Sequence, residues 1–245
     1  MSEKSLIIIP TYNELANVPK LVPEILSRYE KYDLDVLVVD DNSPDGTSKY
    51  IKELMQTTDR VKLITRKAKL GLGTAYIEGF KFALKNQYDF IFEMDADFSH
   101  DPKEIKNFLE EIKTCDLVLG SRYKKGVNVV NWPLNRVLLS LSAGVYVSWV
   151  TRMPVADPTA GFVCYKRKVL ETINLSKVKF IGYAFQIEMK YLAWRAGFNI
   201  KELPIIFTDR IRGKSKMSIK IFREAFLGVW HMRLSNFHKK LHEVK

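Results

Sequence analysis

Short apolar runs recur along the first 120 residues, each followed by polar residues and then by a helical pattern. Leu6-Ile7-Ile8-Ile9 is closed by Pro10, and Val36-Leu37-Val38-Val39 runs into Asp40-Asp41-Asn42-Ser43-Pro44-Asp45-Gly46. Val61-Lys62-Leu63-Ile64, Phe90-Ile91-Phe92 and Leu117-Val118-Leu119 repeat the pattern. A polar helical stretch reaches about Tyr32, and helices are expected over residues 47–55, 71–84 and 102–112, where Pro102 suits a first helical turn. Continuous apolar strands alternating with helices predict βαβ units and an α/β fold around a buried, mostly parallel sheet. Ligands bind such sheets beyond the carboxyl ends of the strands. Three strands run directly into polar residues there: Pro10-Thr11-Tyr12-Asn13-Glu14, Asp40-Asp41 and Asp95-Ala96-Asp97. One edge of the sheet is therefore expected to carry one site.

Beyond Arg122 the pattern changes. Residues 124–133 read as a loop, and residues 137–150 are largely apolar. Fourteen residues fall short of the roughly 20 needed to span a bilayer. In residues 217–237, Ile219, Phe222, Phe226 and Trp230 recur at helical spacing, with Lys220, Arg223 and Arg233 off that face. Both segments suit either amphipathic core helices or helices lying on a lipid surface. A boundary is expected between a catalytic domain, 1–216, and an interface segment, 217–245.

Composition narrows the class. Hydrophobic residues make up 47% of the 245 and charged residues 27%, which excludes a disordered chain, a collagen-like repeat and a heptad rod. Cys115 and Cys164 have no CxxC spacing, so neither a disulfide framework nor a zinc site is expected, and a reducing compartment is the default. Met1-Ser2-Glu3-Lys4 lacks the features of a signal peptide, which predicts a cytoplasmic location. The net charge of +11 is uneven: residues 1–120 carry 16 Lys+Arg against 21 Asp+Glu, whereas residues 121–245 carry 23 against 7. A basic half calls for an anionic partner: nucleic acid, lipid headgroups or substrate phosphates.

Asp95-Ala96-Asp97 is the sharpest local feature. In an extended chain, alternate side chains share a face, so both carboxylates can converge on one Mg²⁺ or Mn²⁺ that also binds phosphate oxygens. Taken alone, such a triplet is a weak signal and is more often a solvated loop. Asp40 and Asp41 suit hydrogen bonds from a base or ribose. Asp45-Gly46 reads as turn and helix-start chemistry. Gly71 and Gly73 open a helix, either as a phosphate cradle or simply as a flexible entry. His100 invites assignment as a base, while His231, His238 and His242 read as surface residues. No Ser-His-Asp or Cys-His order argues for nucleophilic catalysis.

In combination these stretches are far more specific. The runs already quoted, with Gly71-Leu72-Gly73-Thr74-Ala75, Phe98-Ser99-His100, Gly120-Ser121-Arg122-Tyr123, Asp157-Pro158-Thr159-Ala160-Gly161-Phe162, Gly182-Tyr183-Ala184-Phe185-Gln186-Ile187-Glu188-Met189 and Asp209-Arg210-Ile211-Arg212-Gly213-Lys214-Ser215-Lys216-Met217, resemble inverting glycosyltransferase family 2 with its type A fold. Within it the chain is similar to dolichyl-phosphate (polyprenyl-phosphate) mannosyltransferases, over about residues 5–217. The resemblance implies transfer of mannose from GDP-mannose to a polyprenyl phosphate. It implies that Pro10, Tyr12, Glu14, Val38 and Asp40 line the nucleotide pocket. Asp95 and Asp97, around Ala96, would hold Mg²⁺ or Mn²⁺ against the diphosphate, with Ser99 near that shell; some relatives carry Gln there. Arg122, Arg210 and Lys216 would face donor or acceptor phosphates, assisted by Arg136.

An acceptor phosphate is already largely ionised near neutral pH, its second pKa lying around 6, so attack on the sugar needs no strong protein base. The absence of an obvious His base is then expected. Members of the family with C-terminal membrane helices exist, and this chain resembles the short form, held at the cytoplasmic membrane face peripherally or through a small anchoring subunit. Two alternatives stay open: glucosyl or N-acetylhexosaminyl transfer from a UDP-sugar, and a basic binding module without enzymatic activity. Nucleic acid is not expected as a partner, because no recognisable nucleic-acid fold accompanies the basic residues.

Overall fold

The apolar runs become strands, the central ones with both faces covered and the one at Val61–Thr65, on the sheet edge, only half-buried. The computed structural model describes residues 3–209 and 219–234. Strands β1 (Ser5–Thr11), β2 (Leu34–Asp40), β3 (Val61–Thr65), β4 (Phe90–Glu93), β5 (Leu117–Ser121), β7 (Val163–Lys166) and β8 (Ile200–Pro204) form one sheet in the order β3-β2-β1-β4-β7-β5-β8. All neighbours pair in parallel except β7, which runs antiparallel to β4 and β5. The mostly parallel sheet is as expected. A short second pair, β6 (Val129–Val130) with β9 (Phe207–Thr208), corrects the loop reading of residues 124–133, since two residues are too few to show a period.

Leu6 and Ile8 of β1 enter one core layer, and Ile7 and Ile9 enter the other. Helix α3 (Leu72–Lys85) covers the first layer with Tyr76, Phe80 and Ala83. Its close approach depends on Gly79, where a Cβ would lie 2.6 Å from Ile8 Cγ2. Helices α1 (Val18–Arg28) and α4 (Ile105–Glu111) cover the second. The remaining helices are α2 (Thr47–Leu54), α5 (Leu134–Thr151), α6 (Arg167–Thr172), α7 (Tyr183–Arg195) and α8 (Ile219–Leu234).

Register places the polar strand ends together. β1 and β2 finish level, at Thr11↔Asp40. β4 pairs with β1 only as far as Ile8↔Glu93, so the chain leaves the sheet at Met94 and Asp95, below the end of β1.

The two amphipathic segments pack on each other. Tyr146 of α5 stacks on Phe226 of α8 at 4.7 Å, and Trp149 meets Trp230 edge-on at 6.3 Å. The buried stripe of α8 is Val229 and Met232 rather than Phe226 and Trp230, which keep an exposed edge. The side chains of Ile219, Lys220, Phe222 and Arg223 lie outside the described residues. Among the described residues no helix is long and apolar enough to cross a membrane.

Candidate active site

The acidic triplet lies where β4 ends. His100 is buried and its Nδ1 accepts the Asp95 backbone N–H at 3.0 Å, which puts the proton of the neutral ring on Nε2. Burial lowers its pKa, against the raising influence of Asp95 and Asp97. The ring stacks on Phe162 at 4.9 Å. His100 therefore holds the acidic loop in shape rather than serving as an exposed base. Asp97 Oδ1 accepts the Ser99 N–H at 3.1 Å across Phe98, whose φ is 62°, and Tyr76 Oη reaches Asp95 Oδ1 at 3.5 Å. Ser99 Oγ is buried without a hydrogen-bond partner.

Two carboxylates and an unpartnered hydroxyl make an oxygen-only donor set, which suits Mg²⁺ or Mn²⁺. Among the described residues no group of three His, Cys, Asp or Glu could cage a metal alone. A cation here would need phosphate oxygens or water to complete its shell, as is usual for Mg²⁺.

The ends of β1 and β2 form a second polar cluster. Asp40 is fully buried; Oδ1 accepts from Thr11 Oγ1 (2.7 Å) and Ser43 Oγ (2.6 Å), and Oδ2 from Ser43 N–H (2.9 Å) and Ser48 Oγ (2.6 Å). Val38 is a core side chain, so any ligand contact there runs through its backbone. Pro10, Tyr12 and Glu14 are half-buried; Lys69 Nζ lies 4.8 Å from the Tyr12 ring, and Glu14 Oε2 accepts from Asn17 Nδ2 at 2.8 Å. Asp45 accepts from Thr47 N–H at 3.0 Å beside Gly46, whose φ is 95°, matching the expected turn and helix start.

Arg66, absent from the sequence expectations, ties this cluster to the glycine turn. It is buried, pairs with Asp41, and donates to Thr74 Oγ1 (2.6 Å) and the Gly71 carbonyl (3.1 Å). Burial pushes the Asp41 carboxyl up, only partly opposed by Arg66. The Gly73 amide donates to the Ile181 carbonyl at 2.9 Å, so this glycine serves chain packing, not an open phosphate cradle.

The basic side of the site starts where β5 ends. Arg122 donates through Nε to Asp157 Oδ2 (2.7 Å) and through Nη2 to Asp157 Oδ1 (2.6 Å) and Thr159 Oγ1 (2.7 Å). Its backbone N–H also reaches Asp157 Oδ2, at 3.0 Å. Burial alone would raise the Asp157 carboxyl; the charge and hydrogen bonds of Arg122 outweigh it and hold the pKa below the usual value. Tyr123, Trp132 and Phe207 surround the guanidinium at 5.4–5.6 Å. Arg136 lies 4.0 Å over Trp132 and pairs with Asp209 at 2.7 Å, so Trp132 joins the two arginines. Arg210 and Lys216, like His238 and His242, lie outside the described residues.

The turn carrying Asp157 and Thr159 continues to Gly161, where a Cβ would stand 3.9 Å from Asp95 Oδ2 and 3.5 Å from His100 Cε1. One turn thus touches both the acidic triplet and Arg122. That geometry accords with what sequence comparison finds: residues 6–173 match Glycosyl transferase family 2.

The chain belongs to glycosyl transferase family 2. Polyprenol monophosphomannose synthase of Mycolicibacterium smegmatis is 43% identical over 236 residues, covering 95% of this chain and 88% of its own. Undecaprenyl-phosphate mannosyltransferase of Micrococcus luteus is 41% identical, covering 91% of each chain. Among solved structures, Mycobacterium tuberculosis glucosyl-3-phosphoglycerate synthase, crystallised with Mn²⁺, UDP and glucosyl-3-phosphoglycerate, superposes over 94% of this chain and 80% of its own, with a TM-score of 0.65 at 14% identity. The protein is a glycosyltransferase with the type A fold, as its motifs predict, and its resemblance to polyprenyl-phosphate mannosyltransferases is borne out.

Proposed function

We propose that this glycosyltransferase moves mannose from GDP-mannose to a polyprenyl phosphate at a membrane surface. The observation that supports the reading is the Asp157–Gly161 turn, which pairs with the Arg122 guanidinium at one end and stands beside Asp95 at the other. The two mannosyltransferase relatives support the sugar and the acceptor. A divalent cation between Asp95 and Asp97 would supply positive charge to the departing diphosphate; the glucosyl-3-phosphoglycerate synthase binds Mn²⁺ or Mg²⁺ together with UDP.

In this reading Arg122 and Arg136 orient an acceptor phosphate whose ionised oxygen attacks the sugar carbon. A carbon–oxygen bond forms, the bond to the diphosphate breaks, and the electron pair leaves with GDP. Attack opposite the leaving group inverts the anomeric centre. No proton need be removed by the protein, so its contribution is positioning and charge. Arg210 and Lys216 are assigned to the same phosphates by resemblance.

Incubating the enzyme with radiolabelled GDP-mannose, polyprenyl phosphate and Mn²⁺ should give a chloroform-soluble labelled product. GDP should raise the melting temperature more than UDP does, because a native-state ligand stabilises in proportion to its affinity. Label entering lipid only from UDP-sugars would overturn the mannose assignment.

The membrane part of the reading rests on α5 and α8. Leu134, Leu138, Val145 and Trp149 of α5 and Phe226, Leu227 and Leu234 of α8 are exposed, Trp149 by 72%. Burying such side chains is worth about 1.5–3 kcal/mol each, enough for peripheral attachment. Leu138→Asp/Trp149→Asp should reduce co-sedimentation with anionic vesicles about tenfold or more. Turnover of a short-chain, water-soluble acceptor phosphate should be unchanged. Wild-type binding to protein-free vesicles separates direct lipid docking from capture by an anchoring subunit.

A further inference from the structure

Lys190 is a charged side chain with no exposure, in the middle of α7. Its ammonium has three protons and three acceptors: the Ala160 carbonyl at 2.7 Å, the Gln186 carbonyl at 2.8 Å and Gln186 Oε1 at 3.4 Å. Burial drives its pKa down to about 8, while the charges of Glu93 and Asp157 act to keep the proton on. Desolvating a lysine is costly, and the charge of the equally buried Glu93 offsets only part of that cost. What the ammonium does is hold one carbonyl outside its own helix, and that carbonyl belongs to the turn between Thr159 and Gly161.

We propose that Lys190 is a positioning residue for Arg122: by gripping the Ala160 carbonyl it fixes the Asp157–Gly161 turn, and through Asp157 and Thr159 it fixes the guanidinium. The proposal rests on Arg122 being a phosphate ligand in the transfer. Asp157 accepts both the Nε and Nη2 protons of Arg122 and its backbone N–H, so the carboxylate and the guanidinium move as one unit. Thr159 adds a contact from two residues further along the same turn. Ala160 follows directly, and its carbonyl accepts a proton of the buried Lys190 ammonium at 2.7 Å. Without that anchor the Thr159–Gly161 end of the turn loses its tie to α7, while the Glu202 carboxylate still accepts the Ala156 and Asp157 amides at 3.0–3.1 Å. An ångström of drift in a positioning group is enough to cost roughly 100-fold in rate.

The test compares Lys190→Met, Asp157→Asn, the double variant and Arg122→Ala, each scored for kcat, for KM toward the acceptor phosphate and for the melting-temperature rise with GDP. Lys190→Met should lose about 10- to 100-fold in kcat while keeping the GDP-dependent rise measured without added metal, because the level ends of β1 and β2 are not held by this turn. Adding Lys190→Met to Asp157→Asn should cost little more, since both act through Arg122. Losses that multiply in the double variant, or a GDP response that falls in step with kcat, would overturn the proposal in favour of general loosening. If Arg122→Ala is inactive and Lys190→Met is normal, Lys190 has no such role while the Arg122 reading survives. If Arg122→Ala is fully active, both fail. Should Lys190→Met not fold, Glu93→Gln/Lys190→Met removes the two buried charges together, leaves neither alone, and is scored in the same way.

Discussion

Replacing Asp97 by Asn is expected to reduce mannosyl transfer by about 10²–10³-fold or more, with the fold intact. The two halves of this expectation have different causes. In the folded chain Asp97 accepts the Ser99 N–H through Oδ1, and an asparagine carbonyl can accept the same hydrogen bond. The loop should therefore persist, and far-ultraviolet circular dichroism and thermal melting should match wild type. The role proposed for it, holding a divalent cation, needs a negative charge, because a neutral amide attracts such a cation weakly. The departing diphosphate would then develop its charge without compensation. Titrating Mn²⁺ against transfer checks the point: the variant should need far more metal, or never saturate. Normal activity with a normal metal dependence would remove Asp97 from the site.

Arg122→Lys keeps the charge and should still cost about 100-fold in transfer, because a lysine offers a point charge where a planar fork is needed. Arg122 makes three side-chain hydrogen bonds to Asp157 and Thr159, and an ammonium cannot hold both Asp157 oxygens in the same plane. Asp157 is fully buried, so leaving it under-paired also costs stability, about 1–3 kcal/mol. The pH dependence has a definite sign. Arg122 holds the Asp157 carboxyl below its unfolded pKa near 3.8, so the folded state binds this proton less readily than the unfolded state. The stabilisation is present above that unfolded value and is lost as pH falls through the lower folded value. Melting measured from pH 6 downwards should show a wild-type loss in the acid range that is shallower in Arg122→Lys. Identical pH profiles for the two proteins would refute the pairing as the cause.

The α/β class, the strand ends that gather the site and the acidic triplet were legible from the chain alone. Each depends on residues adjacent in sequence: a strand buried on both faces shows as a continuous apolar run, and its polar exit follows immediately. The family was legible too, because its motifs are local. Local pattern failed at β6, where two residues carry no period, and at α8 it showed the helix but not which of its faces is buried, which is the one with Val229 and Met232. Of the two readings open for Gly71 and Gly73, the structure favours the helix entry over a phosphate cradle, because the Gly73 amide is taken by Ile181, more than a hundred residues away. His100 looked like a base by proximity to the carboxylates, yet burial and the Asp95 amide make it a support. Sequence alone thus determined the main strands and helices of the first 120 residues and which chemical groups stand at their ends. Only the tertiary structure decided which of those groups are already committed to one another. Arg66 with Asp41, Arg122 with Asp157 and Lys190 with Ala160 are pairs of buried polar groups, and burial forces each to find a partner wherever folding brings one, at separations that no local pattern records.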